Sequence, residues 1–198
     1  MKDDPRPTFT FMHMLLPHPP TVFDQDGNLI MPDQEKLKSD KENYINQLIY
    51  TNKRIEGMVD DLLAGPDDQD PIVIIQSDEG PHPPRLQKDE TNFDWFEATP
   101  SELREKLLVL NAYYLPGVSH EKLYQTISPV NTFRLVFDLY FGAKLPLLPD
   151  RSYVYKDRSD LYDFREVSDA QLDIDRETHN ATLNCSSSCL RNGGVPPP

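Results

Sequence analysis

Pro71-Ile72-Val73-Ile74-Ile75-Gln76-Ser77-Asp78-Glu79-Gly80 is the stretch on which the fold expectation turns. Apolar β-formers between Pro71 and Gly80 read as a short strand buried on both faces, the kind found inside α/β sheets. Open α/β sheets place ligands beyond the carboxyl ends of their strands. Asp78 and Glu79 fall at that spot, and two adjacent carboxylates form a hard, anionic oxygen site suited to a divalent cation. A solvated strand-end turn with two ordinary acids is the plainer reading of the same residues.

Upstream lies Pro7-Thr-Phe-Thr-Phe-Met-His13-Met-Leu-Leu-Pro17-His18-Pro19-Pro20. Residues 8–15 read as a second buried strand, rich in Phe, Thr and Met, with His13 as a core histidine within it. The strand empties into a loop where prolines surround His18. Each proline fixes φ near about −65°, so the imidazole has little entropy left to lose. Histidine can ligate a metal or donate to an anion, and its charge changes near neutral pH.

A strand ending in His-Leu-Leu-Pro-His-Pro-Pro, followed later by one ending in Ser-Asp-Glu-Gly, resembles the carboxyl-terminal half of a sulfatase-like domain. This is the alkaline phosphatase superfamily, which includes sulfatases, lipoteichoic acid synthase-like phosphoglycerol transferases and phosphoethanolamine transferases. The fold it implies is a doubly wound, mostly parallel α/β sheet, of which residues 1–167 would be a part. In that family a Ser-Asp-His-Gly loop supplies two metal ligands, and an upstream histidine loop lies beside the substrate's phosphate or sulfate. The resemblance implies that Asp78 and Glu79 are metal ligands and that His18 is a catalytic residue beside the anion. Glu79 stands where the family usually has histidine. A carboxylate pair favours Mn²⁺, Mg²⁺ or Ca²⁺ over Zn²⁺.

The intervening chain agrees with this order. Residues 40–64 carry a helical pattern that Ser39 or Asp40 can cap and Gly65-Pro66 stops. Tyr44, Ile45, Leu48, Ile49, Ile55, Val59, Leu62 and Leu63 approximate its apolar stripe, and the polar face reads as solvated. Its segment 43–54 is also similar to the family helix that precedes the metal-loop strand. A strand, a crossover helix and a further strand are the makings of a right-handed parallel unit.

Past the acidic loop, His82 is a further ligand, a substrate contact or a surface histidine. Arg85 is a partner for a phosphate or sulfate oxygen or an ordinary surface arginine. Thr99-Pro100-Ser101-Glu102 signals a helix start, and residues 109–117 read as a strand ending in a turn. Ser128-Pro129 opens a helix that Gly142 closes, with Phe133, Val136, Phe137, Tyr140 and Phe141 on its buried face. Asn131 and Arg134 read as structural polar residues. The family has a similar Ser-Pro helix near the close of its domain. Residues 152–155 read as a last short strand, and residues 161–167 as the last ordered segment.

From residue 168 to 198 the chain is polar, lacks a hydrophobic period and reads as a disordered tail. Cys185 and Cys189 flank three serines there, as exposed thiols or one local bridge. Asn180-Ala-Thr182 and Asn184-Cys-Ser186 fit the glycosylation acceptor pattern.

A net charge of −13 and a pI near 4.7 exclude a nucleic-acid role, which needs basic patches, and oppose adhesion to anionic membranes. The 19 prolines fall mostly in loops and the tail. No apolar run reaches the roughly 20 residues that span a bilayer, and no signal peptide follows Met1. The family's nucleophile sits in the amino-terminal half of its domain, and this chain places none before Pro7. The expectation is therefore a fragment that needs that missing half. Its parent would be a hydrolase or transferase on the extracytoplasmic face of a membrane, acting on phosphate or sulfate esters, lipid- or glycan-linked ones among them. The alternative is a non-catalytic pseudoenzyme, or a module that binds a cation, a glycan or an assembly partner.

Overall fold

The computed structural model describes residues 7–66, 70–124 and 126–172. The chain divides into two units at the Pro71–Ile72 junction.

In the first unit a short helix, α1 (Pro32–Glu35), precedes a long one, α2 (Asp40–Leu63). Ser39 starts α2 through a capping box: its hydroxyl accepts the Glu42 N–H at 3.2 Å, and the Glu42 carboxylate accepts the Ser39 N–H at 3.4 Å. Before α1, Asp24 organises a tight turn by accepting the N–H groups of Asp26 at 2.9 Å and Asn28 at 2.8 Å. Gly27 sits in this turn at φ +85°, and the Tyr50 ring occupies the space a Cβ would need, so glycine is required twice over.

Two expectations for this unit are corrected. Residues 8–15 form no strand. A strand exists only where a neighbouring strand pairs with it, and among the described residues no strand pairs with this segment. Phe9 and Phe11 are 78% and 79% exposed. The second correction concerns α2, which buries part of its polar face. Asn43, Gln47 and Thr51, spaced four apart on one stripe, are its buried residues, while Ile45, Ile49 and Leu62 stay partly exposed. The stripe is polar because it packs on irregular backbone, whose N–H and C=O groups need partners when buried.

The second unit begins with β1 (Val73–Gln76), which pairs antiparallel with β2 (Asn111–Tyr114) in the register Val73↔Tyr114 to Gln76↔Asn111. Between them lie α3 (Pro84–Lys88), a 3₁₀ turn at Trp95–Glu97, and α4 (Pro100–Leu107). Then come a 3₁₀ turn at His120–Lys122, α5 (Pro129–Phe141), the hairpin β3 (Ser152–Asp157) and β4 (Asp160–Val167), and α6 (Asp169–Leu172). The broad expectation of mixed helices and strands holds. Among the described residues, however, both sheets are two-stranded and antiparallel, with no parallel pair. The segment from Ser77 to Leu110 returns the chain to the end of β1 that it left, and that geometry demands an antiparallel neighbour.

The core gathers Leu86, Phe93, Trp95, Leu103, Val154, Val167 and Leu172, with Phe93 edge-on to Trp95 at 4.9 Å between ring centroids. Leu172 lies past the expected start of the tail, so folded structure extends beyond residue 167. The cysteines and both glycosylation patterns lie outside the described residues.

α5 also differs from its expected face. Its buried residues are Asn131, Thr132, Leu135 and Val136, while Phe133, Phe137 and Phe141 form an exposed ladder with centroids 5.8 and 6.0 Å apart. Polar partners dictate that orientation. Asp150 accepts from the Ser128 N–H at 2.7 Å, the Ser128 hydroxyl at 2.6 Å, the Tyr124 hydroxyl at 2.7 Å and the Asn131 amide at 2.9 Å. Ser128 is the N-cap residue of α5 as expected, but its hydroxyl is turned to Asp150 and makes no capping hydrogen bond to the helix. Gly142 closes the helix at φ +61°.

Candidate functional site

β1 carries the acidic loop out of its sheet, and both ends of that loop are fixed. The Gln76 amide donates to Asn111 Oδ1 at 2.8 Å and to Thr132 Oγ1 at 2.7 Å, tying the strand end to β2 and α5. The Ser77 N–H donates to the Leu110 carbonyl at 2.9 Å, and the Gly80 N–H to the Lys106 carbonyl at 3.0 Å. A Cβ on Gly80 would overlap the Glu105 carbonyl oxygen, so only glycine lets the loop lie this close to α4.

Within this frame the two carboxylates face different partners. Asp78 is exposed, and its Oδ1 accepts the Glu79 N–H at 2.9 Å. Glu79 forms an ion pair with the Lys106 ammonium, and His82 Nε2 lies 3.4 Å from its other oxygen. Lys106 is the more buried member of the pair and stands over the Trp95 ring at 5.5 Å. These groups line a cleft of about 150 Å³, which the Glu90–Arg158 ion pair also lines.

Arg85 is engaged elsewhere. Its guanidinium makes a two-point contact with Glu102 at 2.9 and 2.8 Å, donates to the Glu97 carbonyl at 3.2 Å and stacks over Phe93 at 4.9 Å. That contact holds the Glu102 carboxyl down to about 2, with burial opposing it and the Thr99 hydrogen bonds assisting.

His18 belongs to the first unit. Its ring is exposed, and Nδ1 lies 2.5 Å from the Pro19 carbonyl oxygen. The loop around it is gripped by Gln47 of α2.

Of the expected site residues, the structure brings together Glu79 and His82, places Asp78 beside them in sequence with its carboxylate turned to solvent, and gives Arg85 a different partner. Lys106 escapes sequence reading, because it lies 27 residues from Glu79 and nothing local links them. Gln47 had a legible signal in the polar stripe Asn43-Gln47-Thr51. Among the described residues, no three His, Cys, Asp or Glu side chains form a group able to hold a metal ion. Asp78 and Glu79 could supply two oxygen ligands of a larger set, Glu79 only by leaving Lys106. No helix among the described residues is long and apolar enough to cross a membrane. Comparison with models of known families, with curated proteins and with solved structures returned no match.

Proposed function

We propose that this chain contributes to a metal-dependent site for phosphate or sulfate esters, of the kind found in sulfatase-like hydrolases and transferases. Asp78 would be a metal ligand, Glu79 a second one after exchanging Lys106, and His18 the group against the anion. The remaining ligands, the nucleophile and the strands of a doubly wound sheet would come from an amino-terminal half of the same domain, on the extracytoplasmic face of a membrane. A divalent ion, when bound, would polarise the ester oxygen and lower the nucleophile's pKa.

The observation that carries this reading is the state of the Ser77–Gly80 loop. Its backbone is held at Leu110 and Lys106 while the Asp78 carboxylate is left facing solvent. A carboxylate held ready on a rigid loop is what a preorganised ligand requires. His18 would then supply a proton donor for charge developing on the transferred group.

The test is turnover of phosphodiester and sulfate ester substrates with Mn²⁺ by the longest native form of the protein. Asp78→Ala should remove both bound metal and turnover. Unchanged metal content and rate would defeat the proposal.

A second reading is a non-catalytic binding module. The Glu79–Lys106 pair favours it, because Glu79 already has a cation and serves to anchor its loop. On this reading no turnover accompanies any metal binding.

A further inference from the structure

Gln47 is fully buried, and each hydrogen-bonding position of its carboxamide is used on the loop that carries His18. Oε1 accepts the N–H groups of Val22 at 2.7 Å and Phe23 at 3.2 Å. Nε2 donates to the carbonyls of Pro17 at 3.1 Å and His18 at 3.2 Å. A carbonyl can only accept and an N–H can only donate, so this set fixes the orientation of the amide. One side chain therefore grips the main chain on both sides of the Pro19-Pro20 corner.

The consequence falls on the imidazole. His18 Nδ1 lies 2.5 Å from the Pro19 carbonyl oxygen, a group that cannot donate. Nδ1 must therefore carry a proton, and in the neutral ring the lone pair is left on Nε2. A second proton, when the ring takes one, can only go to Nε2.

We propose that Gln47 is a positioning residue for His18, holding the ring with Nδ1–H on Pro19 so that Nε2 is the nitrogen that exchanges a proton with a phosphate or sulfate oxygen. The anion rests on the function proposed above; the clamp and the tautomer do not. In its acid form the ring donates Nε2–H to the anion, and it is left with an Nε2 lone pair when that proton is transferred. The Pro19 carbonyl keeps Nδ1–H throughout, so the ring need not turn over between the two states.

Nitrogen-resolved NMR of the full chain, with the His18 ring neutral, reads the tautomer directly. The wild type should show Nδ1–H as the dominant form. Gln47→Glu keeps the acceptor for Val22 and Phe23 but loses both donated bonds, and it should make Nδ1–H the minor form. Asn43→Ala is the control for general loosening, since Asn43 is equally buried on the same face of α2 and donates to the Glu35 carbonyl rather than to the His18 loop. It should leave the tautomer unchanged. A wild-type ring with Nε2–H dominant would overturn the proposal, as would an unmoved tautomer in Gln47→Glu or an equal shift in Asn43→Ala.

Inorganic phosphate and sulfate then probe the ring in its acid form. A shift at Nε2 that is lost in Gln47→Glu supports the whole proposal. The expected tautomers with no response to either anion would overturn the anion-exchanging role of Nε2 and count against the function above, leaving the clamp standing.

Discussion

The backbone N–H of Gly80 meets the carbonyl oxygen of Lys106 at 3.0 Å, and this contact presses the acidic loop against the last turn of α4. The approach depends on a missing side chain. The obstacle to a Cβ is the Glu105 carbonyl, part of a helix backbone that cannot swing aside as a side-chain tip would. Gly80→Ala should therefore destabilise the protein by about 1–3 kcal/mol and displace the Asp78 loop. Gly57 is the matched control. It lies inside α2 with open space around it, so Gly57→Ala should stabilise by about 0.4–1 kcal/mol. Urea midpoints of the two variants should move in opposite directions.

Arg85 and Glu102 give the second unit an acid-sensitive contact. The Glu102 carboxyl is held at about 2 against an ordinary 4.5, chiefly by its hydrogen bonds from Arg85. A depressed carboxyl stabilises the fold fully above its unfolded value and loses that contribution as pH falls through its folded one. The window therefore runs from about pH 4.5 down to about 2. Arg85 is half exposed, so solvent screening keeps the effect below what the shift alone implies. Glu102→Gln should lower the melting temperature at neutral pH. The two melting curves should converge near pH 2, and a constant gap across the range would sink the assignment.

Asp150 is the acceptor on which the start of α5 depends. Burial pushes its carboxyl up, but the hydrogen bonds from Ser128, Tyr124 and Asn131 outweigh burial and hold it below its usual 3.8. Asp150→Ala would strand several donors at once, and a cost of about 2–4 kcal/mol is expected. Tyr124 reports the same network, its hydroxyl being pushed up to about 12 by burial first and by the bond to Asp150 second. In Asp150→Asn the phenol should titrate lower, but only part of the way, because burial remains. Phenolate absorbance during an alkaline titration measures this.

How much of this was legible follows from the range of each signal. Local chemistry was: Ser39 with Glu42 and Thr99 with Glu102 are capping boxes written within four residues, and Gly142 closes α5 where glycine was expected. The turn after β1 was also in place. Partner choice was not legible. Residues 8–15 have a strand's composition, yet no strand among the described residues pairs with them. Residues 73–76 do form a strand, but nothing in them says whether residues 111–114 run parallel or antiparallel. Amphipathic reading failed in a specific way, because it assumes that polar faces seek water. Gln47 instead serves the irregular backbone of the His18 loop through four hydrogen bonds; Asn131, read as a structural residue, does the same for the Leu148 main chain at 2.8 and 2.9 Å. The ion pair between Glu79 and Lys106 spans too much sequence for any local pattern to reveal.

That ion pair also separates the two readings of the acidic loop. If Glu79 is a metal ligand held in reserve, Lys106 competes with the metal for its carboxylate, and removing the ammonium should tighten binding. Lys106→Met keeps an apolar stem over Trp95 while deleting the charge. Manganese affinity of the full chain should then rise about tenfold, which corresponds to roughly 1.4 kcal/mol. The gain must vanish when Glu79→Gln is added, since the coupling between the two positions is what carries it. If Glu79 serves only as an anchor, Lys106→Met leaves the metal affinity where it was. The carboxylate, left with His82 alone, then lowers stability through the loss of its ammonium partner. A calorimetric titration beside a thermal melt distinguishes the two cases in one pair of variants, and it places Glu79 either with the chemistry or with the scaffold.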